Sequence, residues 1–104
     1  MHLLLINIPA PIDPIERGER FEDPLLEALG AEGIEAEYLG GGSSLVKRDG
    51  GMEIESCDIE LEVADLNRAL PVIRRVLTEA EAPPDTTISV GEPEEATYRL
   101  GDHA

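Results

Sequence analysis

The segment Cys57-Asp58-Ile59-Glu60-Leu61-Glu62-Val63 alternates strictly between apolar and acidic side chains. Successive side chains of a β-strand point to opposite faces, so this period of two predicts a strand with one dry face and one face of carboxylates. A sheet that contains such a strand needs another layer to cover its apolar face. The segment therefore limits the chain to a layered fold with one face of the sheet buried.

Three other segments have the pattern of strands. They are residues 2–8, 34–38 and 86–90. A first, short helix is predicted to begin at Asp23-Pro24, because an acidic N-cap followed by proline favours helix initiation. The prolines before it predict an irregular connection over residues 9–22.

A second helix is predicted from apolar residues at helical spacing between Asp65 and Pro83. Pro71 falls inside this pattern, so the helix either starts late, near Asn67, or is kinked. The resulting order of strand, helix, strand, strand, helix, strand predicts an α+β fold. More specifically, it predicts a ferredoxin-like split βαβ sandwich, in which two helices cover one face of an antiparallel sheet.

The 104 residues are enough for a single domain with one modest core. Residues 91–104 are predicted to form a C-terminal tail, and the sequence leaves open whether residues 97–100 pair with the sheet as a short edge strand. The run Leu3-Leu4-Leu5-Ile6 is too short to span a bilayer, so we expect a cytoplasmic protein that does not enter membranes.

The run Gly40-Gly41-Gly42-Ser43-Ser44 has two interpretations. A phosphate-binding loop requires a helix directly after the glycines, and here the next periodic segment is a strand. The alternative is a hairpin that turns at Lys47-Arg48, with residues 40–52 as a flexible glycine-rich arm. We favour the hairpin, in a register that sets Glu37 opposite Asp58 and Glu35 opposite Glu60.

The chain carries 23 acidic and 8 basic side chains, a formal net charge of -15. This charge disfavours binding to nucleic acid or to anionic membranes and favours cationic partners. Solubility, or adaptation to high salt, is the alternative explanation.

In the predicted fold, one set of residues shares the sheet face that the helices leave open: Glu35, Glu37, Asp58, Glu60, Glu62, Leu3 and Leu5. Apolar residues surrounded by charge often mark an interface, so these residues are the candidate partner-binding surface. Two alternatives remain open. The carboxylates can form an ordinary solvated face, and the C-terminal segment can cover the leucines.

No catalytic, cofactor-binding or metal-binding residues are predicted. Cys57 is in phase with the apolar side of its strand, and His2 and His103 lie near opposite ends of the chain without a partner of their kind. We therefore expect no enzyme activity and no cofactor. The predicted function is that of a binding or inhibitory module for a basic protein, as a monomer or weak homodimer. A dimeric regulatory domain that binds a small molecule is the alternative.

Overall fold

The computed structural model of the protein describes residues 2–91 and 96–102. Its strands are β1 His2–Ile8, β2 Ala36–Arg48, β3 Gly51–Val63, β4 Thr87–Val90 and β5 Ala96–Arg99. Its helices are α1 Pro14–Arg17, α2 Asp23–Ala31 and α3 Leu66–Glu79, with a π-helical turn at Gly18–Glu22 and a 3₁₀ turn at Leu100–Asp102.

The strands form one antiparallel sheet in the order β2-β3-β1-β4-β5. This arrangement confirms the predicted α+β class. The sheet has five strands, however, where the predicted element order contains four. The fifth strand is β5, which pairs with β4 along Ala96–Arg99. Residues 92–95, 103 and 104 of the predicted tail lie outside the described residues.

The helices cover one face of the sheet. On β3 this face carries four fully buried side chains: Cys57, Ile59, Leu61 and Val63. The intervening Asp58, Glu60 and Glu62 are partly or fully exposed, which confirms the predicted phase of the strand. Helix residues such as Phe21, Leu25 and Ile73 complete the core from the other side.

The predicted irregular connection over residues 9–22 is wrong from Pro14 onward. Asp13 caps a helix there, because its carboxylate accepts a hydrogen bond of 2.8 Å from the backbone N–H of Glu16. The helical backbone then passes through the π-helical turn into α2, and the N–H of Asp23 bonds to the carbonyl of Gly18. Pro24 has no N–H to contribute, and a wider helical turn directly before it accommodates that loss.

Helix α3 begins at Leu66, one residue before the position near Asn67 that was predicted for a late start. The side chain of Asp65 accepts a hydrogen bond of 3.2 Å from the N–H of Arg68 and caps the first turn. Pro71 lies inside the helix at an exposed position. Proline has no N–H, so the carbonyl one turn earlier has no intrahelical donor and can bond to water instead. At 14 residues α3 is the longest helix in the described ranges, and none there is long and apolar enough to cross a membrane.

Strands β2 and β3 form a long hairpin of 13 residues on each side, which contains the glycine run. The turn lies at Asp49-Gly50, two positions later than predicted, and Gly50 has a φ of 90°. In the described residues from Ser43 to Ser56 no side chain is buried. That the arm is flexible stays a prediction.

The predicted register of this hairpin is wrong because the turn lies two positions later than Lys47-Arg48, and two irregularities also interrupt the pairing. Leu39 is an extra residue on β2, and Glu55 is an extra residue on β3. Each reverses which residues point to which face, so the alternation before Leu39 does not continue after it. The two irregularities offset each other, so the position of the turn determines the pairing at the base of the hairpin, where Glu37 lies opposite Glu62 and not Asp58.

Candidate protein-binding face

The sheet face opposite the helices, here the open face, is crossed by three rows of residues. From β2 outward they are Glu37-Glu62-Leu3, Gly40-Glu60-Leu5-Ser89-Thr97 and Gly42-Asp58-Asn7-Thr87-Arg99. The carboxylates are concentrated on β2 and β3, the leucines on β1, and the hydroxyl groups on β4 and β5. Across the open face, from β2 to β5, the side chains therefore change from acidic to apolar to polar.

Four of the predicted acids belong to these rows: Glu37, Asp58, Glu60 and Glu62. Asp58 accepts a hydrogen bond of 2.7 Å from Nδ2 of Asn7. Within residues 2–91 and 96–102, no lysine or arginine forms an ion pair with any of the four. Their negative charge is thus not compensated by the described part of the chain.

Glu35, the fifth predicted acid, lies directly before β2. Its backbone carbonyl accepts a hydrogen bond of 2.9 Å from the N–H of Ala64, and its side chain is exposed. It has the same phase as Glu37, two positions along the chain. Glu35 therefore extends the acidic edge of the open face without belonging to the described strand.

Leu3 and Leu5 are 41% and 39% exposed on the open face. Leu3 is paired with Glu62 and Leu5 with Glu60, so each leucine borders a carboxylate. Sequence analysis left open whether the C-terminal segment covers the two leucines. Part of that segment, residues 92–95, lies outside the described ranges. Strand β5 itself does not extend along the sheet as far as the Leu3 row.

A polar cluster that sequence analysis missed lies on the helix side of β2. Nε of Arg17 is 3.1 Å from Oε2 of Glu22, and the same oxygen accepts a hydrogen bond of 2.8 Å from the hydroxyl of Tyr38. Nη1 of Arg17 donates to the carbonyl of Gly42 at 2.9 Å. Residues five apart do not face each other in an α-helix, so only the π-helical turn could have indicated this pair.

This cluster explains one member of the glycine run. A Cβ atom on Gly41 would lie 2.9 Å from the carbonyl oxygen of Asp58, 2.9 Å from Oε2 of Glu22 and 3.0 Å from Cζ of Arg17. These distances are too short for a side chain. Gly41 is therefore required for the close approach of Arg17 and Glu22 to β2, and the surrounding run is a paired strand and not a phosphate-binding loop.

The cluster also affects two titrating groups. Burial raises the pKa of Tyr38, and the hydrogen bond to the Glu22 carboxylate raises it further. Burial raises the pKa of Cys57 from 9.0 to about 11, and the nearby charge of Arg17 opposes this only in part. Cys57 is consequently a protonated core residue at neutral pH, without the thiolate character of a nucleophile.

In the described ranges, no group of three or more histidine, cysteine, aspartate or glutamate side chains is arranged to hold a metal ion. The four acids of the open face point outward along strands and do not converge on one point. The arrangement is suited to contact with an extended surface.

No protein-family model and no curated protein matches the chain. Among solved structures, the chain is similar to a phage SAM lyase in complex with S-methyl-5'-thioadenosine. The TM-score is 0.51 at 10% sequence identity, and the match covers 99% of this chain and 92% of the lyase. At this identity the similarity concerns the fold alone.

Proposed function

We propose that the protein is a non-enzymatic binding module that engages a basic protein through the open face. The observation that carries the proposal is a group of carboxylates, without ion-pair partners among the described side chains, beside two half-exposed leucines, Leu3 and Leu5. Clustered charge of one sign accelerates association with a partner of the opposite sign and excludes others. The leucines supply the apolar contact that a specific interface needs at its centre.

Binding of a cationic surface would also remove a repulsion present in the free protein. Glu37 and Glu62 lie directly opposite each other, and like charges in such pairs destabilise a sheet by about 0.2–1 kcal/mol. A lysine or arginine of the partner placed between them relieves this cost. The free module would thus be slightly destabilised by the groups it uses for binding.

A direct test uses fluorescent peptides as probes. We expect a peptide of lysine and leucine to bind more tightly than a peptide of lysine and serine, and a peptide of glutamate and leucine not to bind. The variant Glu60→Gln/Glu62→Gln should weaken binding about tenfold, as expected for the loss of two partly exposed charge pairs. A matched control is Glu27→Gln/Glu32→Gln, which removes the same charge at exposed positions on and next to α2, on the other side of the sheet.

Equal weakening by both double variants would mean that only the net charge matters, and the open face would lose its role. The ferredoxin-like assignment is likewise a proposal, in which β5 is an addition to a four-stranded core of β1 to β4. The cytoplasmic location also stays a prediction, which cell fractionation would check.

The alternative function, binding of a small molecule, is favoured by the similarity to the phage SAM lyase bound to S-methyl-5'-thioadenosine. Carboxylates such as Asp58 and Glu60 can accept hydrogen bonds from ribose hydroxyl groups, and Leu5 offers an apolar contact for a base. Calorimetric titration with S-methyl-5'-thioadenosine would test this function. Heat of binding that disappears in Glu60→Gln would support it, and no heat at millimolar ligand would reject it.

A further inference from the structure

The outer half of the β2–β3 hairpin carries an apolar surface, here the arm patch, which consists of Leu45, Lys47, Met52 and Ile54. Leu45 lies opposite Ile54, and Lys47 lies opposite Met52. Opposed residues share a face, and Leu45 and Lys47 are two positions apart, so all four lie on the same side of the hairpin. Leu45 is 55% exposed and Met52 is 60% exposed.

The arm patch lies on the same side of the sheet as the helices. Along the hairpin, the helices cover this side only at the base, next to the core. Strand β2 alternates without interruption from Gly41, which touches Arg17, to Leu45 and Lys47. The helix layer does not bury the patch, since none of its four residues is buried. A protein that exposes large apolar side chains on a projecting hairpin presents a surface suited to contact with another chain.

We infer that the arm patch of one copy of this chain docks on the open face of a second copy. The inference rests on the proposed function, because it uses the same face and names an occupant for it. The two surfaces are complementary in kind: Leu45 and Met52 match the exposed Leu3 and Leu5. Lys47 supplies one positive charge toward Glu60 and Glu62, which border those leucines.

The charges of the chain exclude the simpler contact of two open faces. Such a contact would bring the carboxylates of one copy against those of the other, which is costly without cations between them. The contact of an arm patch with an open face joins two different surfaces. It can close by exchange of arms in a dimer or continue around a ring. A basic partner protein would compete with the arm for the open face.

The test is sedimentation velocity of the full chain at low and high salt, with two charge-reversed variants. Wild type should self-associate at low salt and less at high salt. Lys47→Glu and Glu60→Lys, each alone, should weaken self-association at least tenfold, because each places like charges in the contact. A mixture of the two variants should restore it, because every contact in the mixed assembly again pairs opposite charges. Arg75→Glu makes the same change of charge at an exposed position of α3 and should behave as wild type.

Monomeric wild type at every concentration, or no restoration in the mixture, would overturn the inference. Equal loss in Arg75→Glu would also overturn it, because net charge and not the contact would then govern association. Binding of the lysine–leucine peptide separates this result from the proposed function. Lys47→Glu should still bind the peptide, so monomeric wild type that binds it leaves the proposed function in place. Self-association without peptide binding would instead reject a basic partner and retain the arm.

Discussion

Glu37 and Glu62 face each other across the β2–β3 pairing, on the side of the sheet without helices. Glu60, one row along, faces Gly40 and so has no acid directly across on β2. The two glutamates of β3 therefore differ in their immediate electrostatic environment, although the alternation of the sequence makes them look equivalent. This difference is the basis of the first prediction.

Glu37→Gln should stabilise the isolated protein by about 0.2–1 kcal/mol, because it removes one charge from a directly opposed like-charged pair. Glu60→Gln is the control and should change the free energy of unfolding by less. Urea unfolding at neutral pH and low salt measures both. Added salt should reduce the difference between the variants, since it screens the repulsion that Glu37→Gln removes. Destabilisation by Glu37→Gln would show that this carboxylate is engaged in a favourable pair.

Gly41→Ala should destabilise the protein by about 1–3 kcal/mol, the range for forcing an extra carbon into a closely packed site. The added carbon would meet backbone at Asp58 as well as the Arg17 and Glu22 side chains, so rotation of a side chain does not relieve the contact. Gly42→Ala is the matched control, because a carbon there has no atom within 4 Å. Thermal unfolding of the two variants side by side would check the prediction. Equal melting temperatures would contradict it.

Glu22→Gln should destabilise the protein by about 3 kcal/mol, because it leaves the Arg17 guanidinium enclosed without its counter-charge. The two side chains are only 11% and 12% exposed, so water compensates poorly. The double variant Arg17→Met/Glu22→Leu should lose less stability than the single variants Arg17→Met and Glu22→Leu together, since it removes both charges. Chemical denaturation of the four proteins in this cycle gives the coupling. Strictly additive losses would mean that the pair contributes packing and no charge interaction.

Cys57 should make the protein less stable in alkaline solution. Its folded-state pKa of about 11 lies above the ordinary 9.0, so the fold favours the neutral thiol. The stabilisation is complete below about pH 9 and is lost as the pH rises through about 11. In Cys57→Ala the free energy of unfolding should fall less steeply over this range, whereas the contribution of Tyr38 is common to both proteins. Identical slopes would show that the thiol does not titrate differently in the folded state.

Much of the sheet could be predicted from periodicity because burial dictates it. The alternation from Cys57 to Val63 and the run at His2–Ile8 place side chains correctly, and Leu3 and Leu5 emerge on the open face as expected. The cap at Asp65 likewise marks the start of α3 within one residue. These features depend only on local sequence, because any half-buried strand needs alternating apolar residues and any helix benefits from an N-cap.

The errors occurred where local pattern and tertiary contact diverge. Asp13-Pro14 has the same helix-initiating form as Asp23-Pro24, but the surrounding prolines concealed it. The predicted register of β2 failed because the turn forms at Asp49-Gly50 and not at Lys47-Arg48, and the bulge at Leu39, which depends on pairing with another strand, leaves no periodic signal. The approach of Arg17 to Gly42 joins positions far apart in sequence, which no single-sequence pattern encodes.

The two extra residues of the hairpin, Leu39 on β2 and Glu55 on β3, cancel each other along the ladder. The pairing at the Asp49-Gly50 turn is therefore the direct continuation of the pairing beside Val63, and the segment 40–44 is offset by one position relative to both. A slide of this segment by one residue would leave the turn and the base of the hairpin unchanged. Glycines and serines have too little side chain to oppose such slippage. The hydrogen bond from Arg17 to Gly42 thus holds the alignment of a strand whose own side chains cannot fix it.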